Sequence, residues 1–334
     1  MPSRLNPDSV IECVPNFSEG ADAAKVAQIV AAMKVEGVRL LDWTLDAAHN
    51  RSVVTIAGSP AGVVEAAVRG VGRAAQLIDL TRQSGVHPRI GAADVVPFVP
   101  VSGVSLAECA MLARQAGLEI WRRFGIPVYF YEAAAARPDR INLEDIRRGQ
   151  FEGLRETSQR DASRRPDVGG PEIHRTAGAT AVGARRFLIA YNIYLDSPQG
   201  AAAGGLPQAA QANIAAARAI ARSIRASGGG MHGVKALGVS VNGRAQVSMN
   251  ITDFRATPVR QIHAAVRELA LKHGAVATEG EIVGLIPREA YEPDSEWVRE
   301  IPGFDAEAKV LETRLQHPLP WPGDKRKLRE NPAD

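Results

Sequence analysis

One order of elements, β-α-β-β-α-β, can be read twice along this chain, and that recurrence restricts its fold more than any single motif. In the first half, the apolar run 10–14 ends at turn-forming Pro15-Asn16-Phe17-Ser18-Glu19-Gly20. Asp22 stands where it caps a helix whose apolar positions, Val26, Ile29, Val30 and Met33, fall three and four apart; Gly37 ends it. Residues 38–43 and 51–57 read as strands. Ser59-Pro60 opens a second helix with an inner stripe of Val64, Val68, Val71, Ala75 and Ile78, and 95–101 is the closing strand. The second half begins with a strand at 187–195 and a helix at 207–227, stopped by Gly228-Gly229-Gly230. Strands 234–241 and 245–252 meet across Asn242-Gly243, a strong hairpin signal. Thr257-Pro258 then opens a helix carrying Val259, Ile262, Val266 and Leu269, and 281–287 reads as the last strand.

The pattern predicts an α/β (α+β) protein of two ferredoxin-like subdomains, each an antiparallel sheet with two helices on one face. The expected divisions are 1–186, 187–305 and an exposed tail, 306–334. Between the repeats, 105–124 reads as an extra helix and 126–131 as an extra strand, while 132–185 is irregular apart from a short helix near 142–148. The uncovered faces of two such sheets, if opposed, enclose a groove suited to a ligand. Along 245–252, Gln246, Ser248, Asn250 and Thr252 share one face, which suits either a wet ligand surface or plain solvent.

Composition narrows the function. Forty Lys and Arg against 37 Asp and Glu leave a net charge of +3, too little for a nucleic-acid footprint but compatible with a small anionic substrate. An RNA-binding module would stack bases on sheet aromatics, yet aromatics are 5% of the chain and 245–252 has none. Cys13 and Cys109 sit among apolar residues, as buried thiols of a reducing compartment do. The first seven residues lack the apolar core of a signal peptide, and no run of about 18 apolar residues exists to cross a membrane. A cytoplasmic protein with neither membrane nor nucleic-acid partners is expected.

The two halves differ at one place. Where the second half turns at Gly274 and soon reaches its strand, the first inserts 82–93, with Gly85-Val86-His87-Pro88-Arg89-Ile90-Gly91 at its centre. The glycines and Pro88 restrict how His87 is presented, and an imidazole suits proton transfer near neutrality. Asp42, Asp46, His49, Asn50 and Arg51 gather in and beside the first hairpin. Their spacing matches no zinc signature. They hold His87, meet a substrate amine, or form a polar turn. No nucleophile motif and no phosphate-cradling glycine pattern occurs.

These residues resemble the formiminotransferase domain family. The resemblance rests on Glu12 to Gly20, on Leu41-Asp42 through Asn50-Arg51, and on His87-Pro88-Arg89-Ile90-Gly91 through Pro100-Val101. It continues through Gly178 to Phe187 and Gln246 to Phe254, and spans about 10–300. It implies transfer of a formimino group from N-formimino-L-glutamate to N5 of tetrahydrofolate, within histidine degradation and one-carbon metabolism. The implied co-substrate is tetrahydrofolate, with no metal, on a homodimer whose groove lies between facing sheets. His87 takes the place of the family's catalytic histidine. The folate-binding loop falls on Gly169-Gly170-Pro171-Glu172-Ile173-His174-Arg175-Thr176-Ala177-Gly178, whose glycines match while Pro171 to Arg175 depart from the family pattern. Asp42, Asp46 and Asn50 are expected near the substrate, and Arg51, Arg89 and Arg185 at its carboxylates, which a guanidinium fork suits. A related activity on 5-formyltetrahydrofolate is the alternative. The chain stops before the cyclodeaminase region of vertebrate relatives, so no second activity is expected.

Overall fold

A computed structural model describes residues 8–85, 88–198 and 207–324. Contacts divide the chain into two compact units, Met1–Arg185 with His317–Asp334, and Arg186–Gln316.

The first unit runs β1 (Val10–Cys13), β2 (Asn16–Phe17), α1 (Ala23–Ala32), β3 (Val38–Asp46), β4 (Arg51–Gly58), α2 (Pro60–Leu77) and β5 (Ala93–Ser102). It continues with α3 (Leu106–Phe124), β6 (Val128–Glu132), α4 (Leu143–Ile146), α5 (Gln150–Arg160) and β7 (Thr180–Ala184). Across the sheet β3 pairs with β4, β1 and β2 share the place between β4 and β5, and β7 and β6 follow β5 in parallel. The helix starts are those the sequence signals. Asp22 accepts from the amides of Ala24 and Lys25, Ser59 accepts from Gly62 with Pro60 in the first turn, and Ser105 and Glu108 form a reciprocal capping box. Ile11, Cys13, Val54, Ile56 and Phe98 fill one sheet face and belong to one core with Val64, Val68 and Val71 of α2. At Gly72 a Cβ would lie 2.2 Å from the Phe124 ring, so a glycine lets α2 and α3 close together.

Two elements in the irregular stretch depart from expectation. α5 buries only Phe151, Leu154 and Ser158, and its polar remainder hides the helical period. β7 is Thr-Ala-Val-Gly-Ala, too small and short to announce itself; its pairing with β5 and β6 makes it a strand.

The second unit runs β8 (Ile189–Asp196), α6 (Pro207–Ile224), β9 (Val234–Val241), β10 (Arg244–Ile251), α7 (Val259–Lys272) and β11 (Val276–Val283). Its antiparallel sheet has the order β11-β8-β10-β9. Ile189, Tyr191, Ile193 and Leu195 alternate into a core with Val247, Met249 and Ile251. β11 lies earlier than the expected 281–287, because an irregularity between Ala277 and Gly280 breaks its alternation.

Residues 306–324 are no exposed tail. After α8 (Glu296–Arg299), which buries Trp297, come α9 (Ala306–Lys309) and α10 (Leu311–Gln316). Ile286 donates to the Lys309 carbonyl and accepts from the Leu311 amide, both at 2.9 Å, and Val310 and Leu311 are buried. The chain then rejoins the first unit. The Leu319 amide donates to the Leu40 carbonyl at 2.8 Å, and Trp321 enters the first core. The surrounding charge misleads the sequence reading here, because few apolar residues do the anchoring.

Candidate active site

At one end of the first sheet, the exit of β2, the β3–β4 turn, the start of β5 and the loop entering β7 meet. Register places Asp46 opposite Arg51, Phe17 opposite both Ser52 and Ala93, and Gly91 opposite Gly178. Backbone bonds lace the segments: Ser18 to Ala92, Ala92 to Ala177 and Ala179 to Ile90, each at 2.9 Å. The Ser18 hydroxyl adds a bond to the Gly91 carbonyl at 2.7 Å. At Gly178, with φ of +69°, a Cβ would stand 2.1 Å from the Ile90 oxygen. Only glycine admits that approach. The two segments singled out in the sequence, 85–91 and 169–178, are therefore joined at their C-terminal ends.

Val86 and His87 lie outside the described residues, but both flanks of the loop are anchored. On the near side, Asn50 adopts a left-handed φ of 49°. Its Oδ1 accepts from the Gly20 amide at 3.0 Å and its Nδ2 donates to the Ser84 carbonyl at 2.9 Å. A Cβ on Gly85 would sit 2.8 Å from the His49 oxygen. On the far side, Arg89 is 8% exposed. Its guanidinium meets Glu152 at 2.9 and 3.3 Å and the Gln83 carbonyl at 2.9 Å, while its own carbonyl accepts from Phe151 at 2.8 Å. Arg89 is thus engaged within the protein rather than presented as an open fork.

Beneath the loop lies a second ion pair. Buried Asp94 accepts from the Ile90 amide at 2.7 Å and pairs with Arg147. Burial holds the Arg51 guanidinium down to about 10; Arg147 presses the same way, and Asp94 and Asp46 oppose it. Arg51 therefore stays charged at neutral pH within a group of two carboxylates and two guanidiniums. In the turn, Asp46 accepts from the His49 amide at 2.9 Å and contacts its Nδ1 at 2.6 Å. Alternation sets Asp42, Asp46 and Arg51 on the sheet face opposite the helices, with Asp42 across from Thr55. Arg185, just beyond β7, donates its amide to Phe98 at 3.0 Å. Its charge offsets part of the burial that raises the Tyr131 phenol and the Cys13 thiol.

In the 169–178 loop, the amides of Thr176 and Ala177 donate to the His174 Nδ1 at 3.4 and 3.0 Å, and His174 and Gly178 exchange backbone bonds at 2.9 Å. His174 is thus a brace within the loop. Ile173 is buried, and Gly170, Pro171, Glu172 and Arg175 are exposed. Gly169 lies against Trp121, where a Cβ would reach the indole at 2.6 Å. Sequence reasoning missed Asp94, Arg147, Glu152 and Trp121. Asp94 gave a signal, a lone acid opening an apolar strand; Arg147 and Glu152 stand in irregular sequence and gave none.

In the second unit, Gln246 is buried and Asn250 exposed on the helix-free face of β10. Thr252 leaves that row, its hydroxyl donating to the Gly233 carbonyl at 3.0 Å. Among the described residues no group of three or more His, Cys, Asp or Glu is placed to hold a metal, and no helix is long and apolar enough to cross a membrane.

The fold is α/β, and one end of its first sheet gathers acids, guanidiniums and a braced loop. The chain belongs to the formiminotransferase domain family: the N-terminal subdomain model matches residues 10–185 and the formiminotransferase domain model matches 208–300. A glutamate formimidoyltransferase of Streptococcus pyogenes is 40% identical over 92% of this chain and 98% of that protein. The protein of that name in Thermoplasma acidophilum is also 40% identical, with the same coverage. The formimidoyltransferase-cyclodeaminase of Mus musculus is 36% identical over 84% of this chain, which spans 51% of that longer protein.

Proposed function

We propose that this protein transfers the formimino group of N-formimino-L-glutamate to N5 of tetrahydrofolate, giving 5-formiminotetrahydrofolate and L-glutamate. The observation that carries this reading is identity of 40% along almost the whole of two relatives named for that activity. In this reading tetrahydrofolate is a co-substrate, and the protein works as a cytoplasmic homodimer.

The chemistry sets the requirements. N5 attacks the formimino carbon, and the tetrahedral intermediate must expel the glutamate nitrogen. That nitrogen leaves as an amine only if it gains a proton, and N5 must lose one. His87 is the general acid–base group, a role that contributes about 10²–10⁴-fold. Arg51 and Arg185 receive substrate carboxylates, and Asp42 meets the cationic formimino group. The 169–178 loop receives the folate. Asn50, and Arg89 through Glu152, hold the two flanks of the His87 loop, which suits their engagement better than a substrate contact does.

Purified protein mixed with both substrates should release glutamate only when tetrahydrofolate is present. His87→Ala should lower that release by about 10²–10⁴-fold while tetrahydrofolate binding, followed by calorimetry, persists. Undiminished turnover in the variant would reject the histidine assignment, and release without tetrahydrofolate would reject the transferase.

A further inference from the structure

The 169–178 loop is held unevenly along its length. Its entrance is pinned to β6: the amides of Asp167 and Val168 donate to the Val128 carbonyl at 2.9 and 3.1 Å, and the Val128 amide donates to the Val168 carbonyl at 2.9 Å. Asp167 Oδ2 also accepts from the Phe130 amide at 2.7 Å. Its exit is tied by the bonds of Ala177 to Ala92 and of Thr176 to the Leu80 amide, both at 2.9 Å. Between these ends, among the described residues, the backbone of 169–173 makes no hydrogen bond. Ile173 is anchored by burial in the first core. At the other end of that span, Gly169 lies flush on the Trp121 indole, where a Cβ would stand 2.6 to 2.9 Å from three ring atoms. Its φ of +76° is one that glycine adopts without strain.

The indole is itself fixed in place. Trp121 stands on the last turn of α3, where the Gly125 amide donates to its carbonyl at 2.9 Å, and Arg123 ties that turn to Glu65 of α2 at 2.8 Å. Yet Trp121 is 40% exposed, whereas Trp297 and Trp321 are buried. A large aromatic ring left at the surface adds less to the core than those two. Its defined contact is with the backbone of the loop.

We propose that Trp121 is a positioning residue for the co-substrate: its indole is the platform that sets where Gly169 to Glu172 stand when tetrahydrofolate binds. This rests on the functional reading above, which gives the loop to folate. A span without hydrogen bonds of its own samples other positions once the platform is gone, and ordering it again on binding lowers affinity. Trp121 touches no reacting atom in this account, so the loss falls on binding and spares the chemical step.

Trp121→Ala should raise both the KM and the calorimetric Kd for tetrahydrofolate by about 10-fold, with kcat unchanged. Trp121→Phe keeps a flat ring under Gly169 and should recover most of that loss. Leu118→Ala removes exposed apolar surface one turn earlier on α3 and should alter neither constant. Unchanged KM and Kd in Trp121→Ala would overturn the proposal, and an equal loss in Leu118→Ala would assign the effect to α3 at large. So would a joint fall in kcat and thermal midpoint that Trp121→Phe does not relieve, because that is the behaviour of a residue packing a helix end. A wild-type protein that binds no tetrahydrofolate would instead overturn the functional reading beneath it.

Discussion

The two units share a connectivity and a strand order but use the same junction differently. In the second, α7 ends at Lys272 and β11 begins at Val276. In the first, α2 ends at Leu77 and β5 begins at Ala93, and the longer connection carries the loop around His87. The surroundings differ to match. The first unit adds α3 to β7 beside β5, and from that addition come Arg147 and Glu152, which hold the connection in place. The second presents mostly neutral polar side chains on β10, with an ion cluster at the sheet margin, where Arg244 meets Asp196 at 2.8 Å and Glu279 at 2.9 Å. A repeated topology supplies a frame, and in one copy a longer connection is held by counter-charges from an added segment.

The comparison breaks most visibly where a carboxylate is removed from each unit. Asp94→Ala leaves Arg147 charged and mostly buried, and should cost about 3–5 kcal/mol in urea unfolding. Asp196→Ala leaves a more exposed Arg244 with Glu279 still present, and should cost about 0–1 kcal/mol. Equal losses would mean that burial does not separate the two clusters.

A smaller effect is expected in turnover when the loop brace is cut. Glu152→Ala removes the exposed partner of buried Arg89. It should slow glutamate release by about 10–100-fold through misplacement of the loop, with a loss of stability smaller than that of Asp94→Ala because the Gln83 carbonyl still holds the Arg89 guanidinium. Unaltered kinetics would separate the brace from catalysis.

The smallest expected effect concerns acid and the second unit. Burial lowers the pKa of His263, as does Arg267, while Glu296 opposes them; its Nδ1 lies 2.8 Å from the Tyr191 hydroxyl. The folded state holds this ring neutral where the unfolded chain protonates it. Its contribution is therefore present above the unfolded pKa of about 6.5 and is lost as pH falls below it. Burial raises Glu300, which gives the opposite slope nearer the carboxylate range. Trp297 packs edge-on to Tyr191 at 5.9 Å and is the one tryptophan between 186 and 316, so its fluorescence should report the acid-side loss. His263→Gln should flatten it.

Much of the frame was legible in the sequence because caps and periods are local. Asp22, Ser59-Pro60, Ser105 and Asn242-Gly243 each mark an element end by chemistry confined to a few residues. β7 and β11 were obscured because one depends on its neighbours and the other breaks its own alternation. The site divides likewise. Asp42, Asp46, Asn50, Arg51 and the 85–91 loop stand out as polar residues gathered at turns. Asp94 with Arg147 and Arg89 with Glu152 are meetings across 53 and 63 residues, and nothing in either neighbourhood announces the partner. The engagement of Arg89 could not be read from a residue type that serves equally for substrate and scaffold.

The return of 317–324 to the first unit also orders events during synthesis. Leu319, bonded to the edge strand at Leu40, and Trp321, set into the first core, leave the ribosome after every residue of the second unit. The half that emerges first is thus completed last. Until then the β3 edge at Leu40 lacks its partner in the nascent chain, and for that interval an open strand edge invites pairing with other chains.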